Sequence, residues 1–301
     1  MSEKIFTDTT DFFSIDYGDM IQIDGGQYLV KGHEREERFG IDDPKFWVKK
    51  VINLETEEKK ILKLSFFESF ETDVGSIKIR CFRNPDKEGA ILDLVRDHPH
   101  FMSGIACKDT RDNNIRIIDI VKGINFFNYI DTFEMSYEDY FKDILPGILE
   151  KLVKAFKAID FLHQHGQRHG DIRTDHLIVE RDTGNYVWID FDYDYDSGEN
   201  PFSLDLFELG NVLLYAVGKG FHSASTLEKN NALYGEIQEH FEPGDFSIIH
   251  KWKLVNLKKI FPIIPVDLND ILMHFSSKAD IFYESAGELI EDINVVRHSI
   301  F

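Results

Sequence analysis

Two aspartates, each set beside a short apolar run, constrain this chain more than any other feature. The first lies in His169–Val179, HGDIRTDHLIV, where a His-Gly-Asp triplet is followed five residues later by a strand-like run. The second lies in Trp188-Ile189-Asp190-Phe191-Asp192, at the end of another apolar run. Asp182-Thr183-Gly184 forms a turn signal between the runs, and the aspartates are 190 − 171 = 19 residues apart. That spacing suits a short hairpin bringing Asp171 and Asp190 to adjacent loop ends, where functional groups usually sit. Two carboxylates so placed could position a nucleophile and hold a cation.

The chain before this hairpin reads as strands. Met20–Ile23, the Asp24-Gly25-Gly26 turn and Gln27–Lys31 suggest a β-hairpin. A polar loop is expected from Gly32 to Lys45, then strands over Phe46–Leu54 and Lys60–Phe67, the latter with Lys63 alone inside an apolar run. Asn84-Pro85-Asp86 opens a helix carrying Ile91, Leu92 and Val95, and Ile115–Val121 reads as a strand. Beyond Tyr137 the period changes. Ile144–His165 carries Ile148, Leu152, Ala155, Phe156, Ile159 and Leu162 at helical spacing, and Gly166 is placed to end it. Strands followed by helices predict an α+β chain, with an N-terminal extension over 1–19, a small antiparallel-sheet lobe over 20–121 and a helical lobe over 122–301.

These residues resemble the protein kinase superfamily. Its catalytic loop reads H-R-D-L-x-x-x-N and its metal triplet D-F-G. His169, Asp171 and Ile172 fall on the first motif, and Asp190-Phe191 on the second. Asp205-Leu206-Phe207-Glu208-Leu209-Gly210 resembles the D-x-W-S-x-G helix, and Ile61-Leu62-Lys63-Leu64 fits the third-strand lysine. The resemblance spans roughly residues 27–220. It implies a bilobal protein-kinase-like fold and an ATP-dependent phosphotransferase using Mg²⁺ or Mn²⁺. By the same resemblance, Asp171 orients the acceptor hydroxyl, Asp190 holds the metal, Lys63 pairs the nucleotide phosphates and Arg173 neutralises the transferring phosphoryl group. Glu88 is the expected partner of Lys63, with Asp93 as its competitor. Val48 would lie over the adenine, Val121-Lys122-Gly123 would form the hinge at its edge, and Asp205 would brace the catalytic loop.

The chain departs from that pattern in ways that bear on function. Gly170 replaces the arginine before Asp171, a His-Gly-Asp form similar to aminoglycoside phosphotransferases. Control through a phosphate on the following segment is therefore not expected. His176 stands where the family keeps a metal-binding Asn, and imidazole suits Mn²⁺ better than Mg²⁺. The glycine-rich loop, Gly32 to Gly40, retains only those two glycines. Asp192 replaces the glycine after Phe191, and Asp190 to Pro201 is only 201 − 190 = 11 residues. A protein Ser/Thr acceptor is the first expectation and a small-molecule hydroxyl the second. A third reading is a pseudokinase that binds partners without turnover.

Several other readings are weaker. His163, His165 and His169 are expected to be structural rather than a metal cluster. The alternating acids from Asp190 to Asp196 do not fit a calcium loop, which needs Gly sixth and Glu twelfth. The formal net charge of −20 disfavours nucleic acid and anionic membrane surfaces as partners. Cys81 and Cys107 could form one bridge but make no disulfide framework. With no signal-peptide pattern at the start and no long apolar stretch, a cytoplasmic protein is expected.

Overall fold

The computed structural model describes residues 4–38, 41–74, 77–196, 198–229 and 241–300. The chain divides into two compact units. One comprises Met1–Ser69, Phe82–Lys122 and Asp192–Asp194; the other comprises Phe70–Cys81, Gly123–Phe191 and Tyr195–Phe301.

The first unit is built on a seven-stranded sheet. Its strands are β1 (Ile5–Phe6), β2 (Met20–Ile23), β3 (Gly26–Arg38), β4 (Ile41–Asn53), β5 (Lys59–Lys63), β8 (Gly104–Lys108) and β9 (Asn114–Asp119). Their order is β1-β2-β3-β4-β5-β9-β8, with β1 parallel to β2 and the other pairings antiparallel. Asp24 and Gly25 both have positive φ, 50° and 75°, the geometry that a two-residue Asp-Gly hairpin turn requires. Ile21, Ile23, Val30, Val51, Leu62, Ile115 and Ile117 supply one buried core with Phe12 and Ile15.

Where a loop is expected over Gly32–Lys45, the described residues on either side of 39–40 are paired strand. β3 and β4 remain in register from Glu34↔Lys45 to Arg38↔Ile41. Polar composition does not prevent this, because backbone hydrogen bonds hold the ladder, and the exposed Glu34–Lys50 pair at 3.0 Å adds to it. Gly32 sits at a register break with φ 135°, a conformation side chains rarely adopt. The strand expected over Lys60–Phe67 ends at Lys63, beyond which Phe66 stacks on Trp47 with centroids 4.0 Å apart. Helix α1 (Pro85–Leu94) follows, its first turn capped by the Asn84 side chain, which accepts from the Lys87 amide at 3.0 Å. Its Gly89 lies so close to β8 that an added Cβ would stand 2.9 Å from Ala106 Cβ.

The second unit is mostly helical. β10 (Gly123–Asn125), β11 (Leu177–Glu180) and β12 (Tyr186–Trp188) form a small antiparallel sheet in that order. Around it run α2 (Phe126–Asp131), α3 (Tyr137–Asp139), α4 (Leu145–Gln164), α5 (Ser203–Gly218), α6 (Ala224–Lys229), α7 (Val266–Met273) and α8 (Ala286–Ile300). α4 buries Ile148, Leu152, Ala155, Phe156, Ile159 and Leu162, the stripe its spacing predicts. Gly166, with φ 69°, closes the helix by donating to the His163 carbonyl at 2.9 Å. Trp188 is fully buried and donates to the Ala155 carbonyl at 2.9 Å, fastening the hairpin to α4. A further three-stranded sheet, in the order β13-β7-β6, contains β6 (Ser69–Val74), β7 (Ile77–Arg83) and β13 (Tyr193–Tyr195). Cys81 and Cys107 are both free thiols. Among the described residues no helix is long and apolar enough to cross a membrane.

Candidate active site

In the first unit the charged residues inside apolar strands turn inward. Lys63 on β5 and Arg116 on β9 are register partners on neighbouring strands. Two like charges so placed repel unless an anion lies between them. Glu88 on α1 is that anion. It accepts from Lys63 Nζ at 2.7 Å through Oε1 and from Arg116 Nε at 3.0 Å through Oε2. All three side chains are nearly inaccessible to water, so removing the shared Glu88 carboxylate would leave uncompensated buried charge. Asp192 lies 3.7 Å from Lys63 and accepts from Arg83 Nη1 at 2.6 Å. Arg83 also bonds Glu68 at 2.6 Å and the Tyr193 hydroxyl at 2.7 Å. The Asn84 amide holds the Asp192 carbonyl at 2.7 Å.

In the second unit the loop after α4 is arranged around Asp205, at the start of α5. Its carboxylate accepts from the His169 amide at 2.7 Å, the Gly170 amide at 2.8 Å and His163 Nε2 at 3.1 Å. Burial alone would raise the Asp205 pKa. The His163 hydrogen bond, the neighbouring His163 and His169 rings and the Gly170 amide outweigh it and hold the carboxyl below the usual value of 3.8. Gly170 has φ 83°, which suits the residue type found there. His169 is buried edge-on to Trp188 and Phe191, at 5.5 and 5.9 Å.

The two aspartate-bearing ends meet through His176. Its carbonyl accepts from the Ile189 amide at 3.0 Å, joining the loop to the residue before Asp190. Its Nδ1 is 2.9 Å from the Asp171 carbonyl, which can only accept, so Nδ1 carries the proton. In the neutral ring Nε2 then presents its lone pair 3.7 Å from Asp190 Oδ2. A carboxylate oxygen and an imidazole nitrogen at that separation fit the donor set of a divalent cation such as Mn²⁺. Among the described residues no group of three or more His, Cys, Asp or Glu is arranged to hold a metal. An ion here would need ligands from elsewhere, as nucleotide phosphates provide. Asp190 has φ 67°, strained for a residue other than glycine.

Of the residues singled out from sequence, Lys63 and Glu88 are joined directly, while Asp93 is exposed and pairs with Arg96. Val48 is buried on β4 opposite Lys63, and Gly32 lies in β3. Val121 is half-buried between β9 and β10, and Gly40 lies outside the described residues. Asp171, His176 and Asp190 gather in the second unit. Arg173 does not stand open toward a phosphate. Its Nε bonds Asp175 Oδ1 at 3.0 Å and its Nη2 bonds Asp175 Oδ2. His163 is structural, bonded to Asp205. Sequence reasoning missed Arg83 and Arg116. For Arg116 the signal was present, a lone cation in Ile115–Val121 like Lys63 in its own strand.

The chain has a protein-kinase-like fold. No protein-family model matches the sequence. Among solved structures, the kinase domain of PknI from Mycobacterium tuberculosis aligns with TM-score 0.53 at 14% identity, covering 94% of this chain and 99% of that one. A point mutant of the same domain aligns at 0.54, with 13% identity and coverage of 94% and 98%. Two mouse proteins are similar in sequence. Sperm motility kinase Tcr mutant form is 25% identical over 178 residues, 51% of this chain and 35% of its own length. Sperm motility kinase 2B is 24% identical over 224 residues, 65% and 44%. The chain spans less than half the length of these curated relatives. It has the α+β, bilobal fold of a protein kinase domain that its motifs led one to expect.

Proposed function

We propose that this chain is an ATP-dependent phosphotransferase acting on a protein Ser or Thr hydroxyl. The observation that carries the reading is the buried Lys63–Glu88 pair at 2.7 Å. Glu88 fixes the ammonium in place, and Lys63 then offers an oriented charge to nucleotide phosphates. Asp171 orients the acceptor hydroxyl and receives its proton. Asp190, with His176, would hold the divalent ion, which when bound neutralises charge on the β- and γ-phosphates. Val48 and Val121 would line the adenine. Asp205 acts through the backbone, keeping the His169 and Gly170 amides, and hence Asp171, in one geometry. Catalysis of this kind depends on positioning and charge more than on covalent chemistry.

A second reading, nucleotide binding without turnover, is favoured by one observation: the Arg173 guanidinium is already engaged by Asp175. Both readings are tested together by nucleotide-induced thermal shift in Mg²⁺ and in Mn²⁺, paired with phosphoryl transfer from labelled ATP. Transfer above the Asp171→Asn background, with a larger shift in Mn²⁺, supports the enzyme. His176→Asn is expected to raise Mg²⁺-supported binding. A shift without transfer favours the binding module, and no shift in either metal rejects both.

A further inference from the structure

Glu88 and Asp192, two carboxylates beside Lys63, are each answered by an arginine of their own. Glu88 bonds Lys63 at 2.7 Å and Arg116 at 3.0 Å. Asp192 stands 3.7 Å from Lys63 and bonds Arg83 at 2.6 Å. These five side chains belong to the first unit and are nearly closed to water. Among them three cations face two carboxylates, which leaves one positive charge over. A carboxylate shared between two cations gives each only part of its field, so Lys63 is oriented without being neutralised.

Arg83 is held firmly in this role. Its Nε donates to Glu68 at 2.6 Å and its Nη2 to the Tyr193 hydroxyl at 2.7 Å. Its guanidinium carbon lies 4.2 Å from the centroid of the Tyr193 ring and 5.1 Å from that of Trp47, which is itself stacked on Phe66. The Asp192 backbone is fixed as well, since its carbonyl accepts from the Asn84 amide at 2.7 Å. Glu68 is a third exposed, so water screens its charge. A flat, permanently charged fork can meet acceptors along several edges at once, which an ammonium cannot. Without Arg83, Asp192 would turn its whole charge on Lys63, where a nucleotide phosphate must compete for the ammonium.

We propose that Arg83 is a positioning residue for nucleotide phosphate, acting through Asp192: it takes up that carboxylate's charge so that Lys63 keeps its own for the ligand. The effect on the ligand rests on Lys63 binding phosphate, as in the function proposed above; the charge balance itself does not.

Calorimetric titration of the full chain with ADP and with adenosine, in Mn²⁺, tests the effect on the ligand. Adenosine carries no phosphate and reports the remaining contacts. Arg83→Met should weaken ADP binding about tenfold or more and leave adenosine unchanged. Adding Asp192→Asn to that variant should restore most of the ADP affinity, because the anion that competes with phosphate is gone. Arg83→Lys, which keeps the charge but not the fork, should fall between wild type and Arg83→Met. Unchanged ADP binding in Arg83→Met overturns the proposal, as does an equal loss for adenosine or a double variant no better than the single one. Urea unfolding of wild type, the two single variants and the double variant reads the charge balance without ligand. Destabilisation by Arg83→Met that Asp192→Asn relieves, in a chain whose wild type binds neither ADP nor adenosine, supports the charge balance and counts against the nucleotide reading instead. No relief overturns the charge balance. If Arg83→Met fails to fold, Asp192→Asn alone decides: ADP should bind at least as tightly as in wild type, and weaker binding would overturn the proposal.

Discussion

With Lys63 and Arg116 opposite each other on neighbouring strands, loss of the Glu88 carboxylate leaves two buried cations face to face. Glu88→Gln is therefore expected to lower stability by about 3 kcal/mol, read as a shift in urea midpoint. Lys63→Met should cost less, since Glu88 keeps Arg116, yet reduce transfer about a hundredfold or more. Equal destabilisation by the two variants would contradict this ordering. Asp205 gives a pH-dependent test. Its folded pKa lies below its unfolded value of 3.8, so its contribution is complete above that value and is lost as pH falls through the folded one. The stability gap between wild type and Asp205→Asn should be constant from pH 5 to 7 and close in acid. Lys253 has the opposite sign. Burial pulls its pKa from 10.5 to about 8, against the attraction of Glu208, so its charge opposes folding at neutral pH. Stability should rise between about pH 8 and 10.5 in wild type and not in Lys253→Met, so that the difference between the two changes across that window. A flat difference across that range would exclude the assignment.

Two close approaches hold elements where the site needs them. Gly89 lets α1 lie against β8, and a larger residue there would push Glu88 away from Lys63. Gly89→Val is expected to reduce transfer tenfold or more, with a smaller loss in unfolding midpoint; unchanged turnover would show that α1 tolerates the displacement. Gly210 on α5 faces Phe275, whose ring would lie 2.5 Å from an added Cβ. Gly210→Ala should cost about 1–3 kcal/mol by overpacking, with little effect on nucleotide binding. Elements whose signal is local were legible in the sequence. The stripe of α4, the Asn84 cap, the Asp24-Gly25 turn and the β11–β12 hairpin each depend on residues a few positions apart. The β3–β4 extension was not, because its pairing lies in backbone hydrogen bonds that polar side chains do not announce. Lys63 and Glu88 could be paired from motif order. The bond between Arg173 and Asp175 could not, since adjacent charges in a loop carry no sign of which way they turn.

At the scale of the whole molecule, a net charge of −20 repels itself in the compact state. Added salt screens that repulsion, so the melting temperature should rise between low and about 0.3 M NaCl, where the Debye length falls below about 10 Å. A falling melting temperature would mean that the ion pairs outweigh the surplus. Against that surplus the buried cations are distinctive, because each is answered by specific oxygens rather than by the general acidity. Lys49 is the clearest case. Its ammonium lies in the interior of the first unit and donates to the main-chain carbonyls of Phe12 at 3.0 Å and Ile15 at 2.6 Å. Those acceptors belong to residues that precede the main strands and look dispensable on paper. A chain begun at Met20 would strand a positive charge among hydrocarbon with nothing to receive it, and Lys49 would have to shed its proton or drag water inward. Removing the residues before Met20 is therefore expected to destabilise the first unit, because Phe12 and Ile15 supply the carbonyls that answer the Lys49 charge.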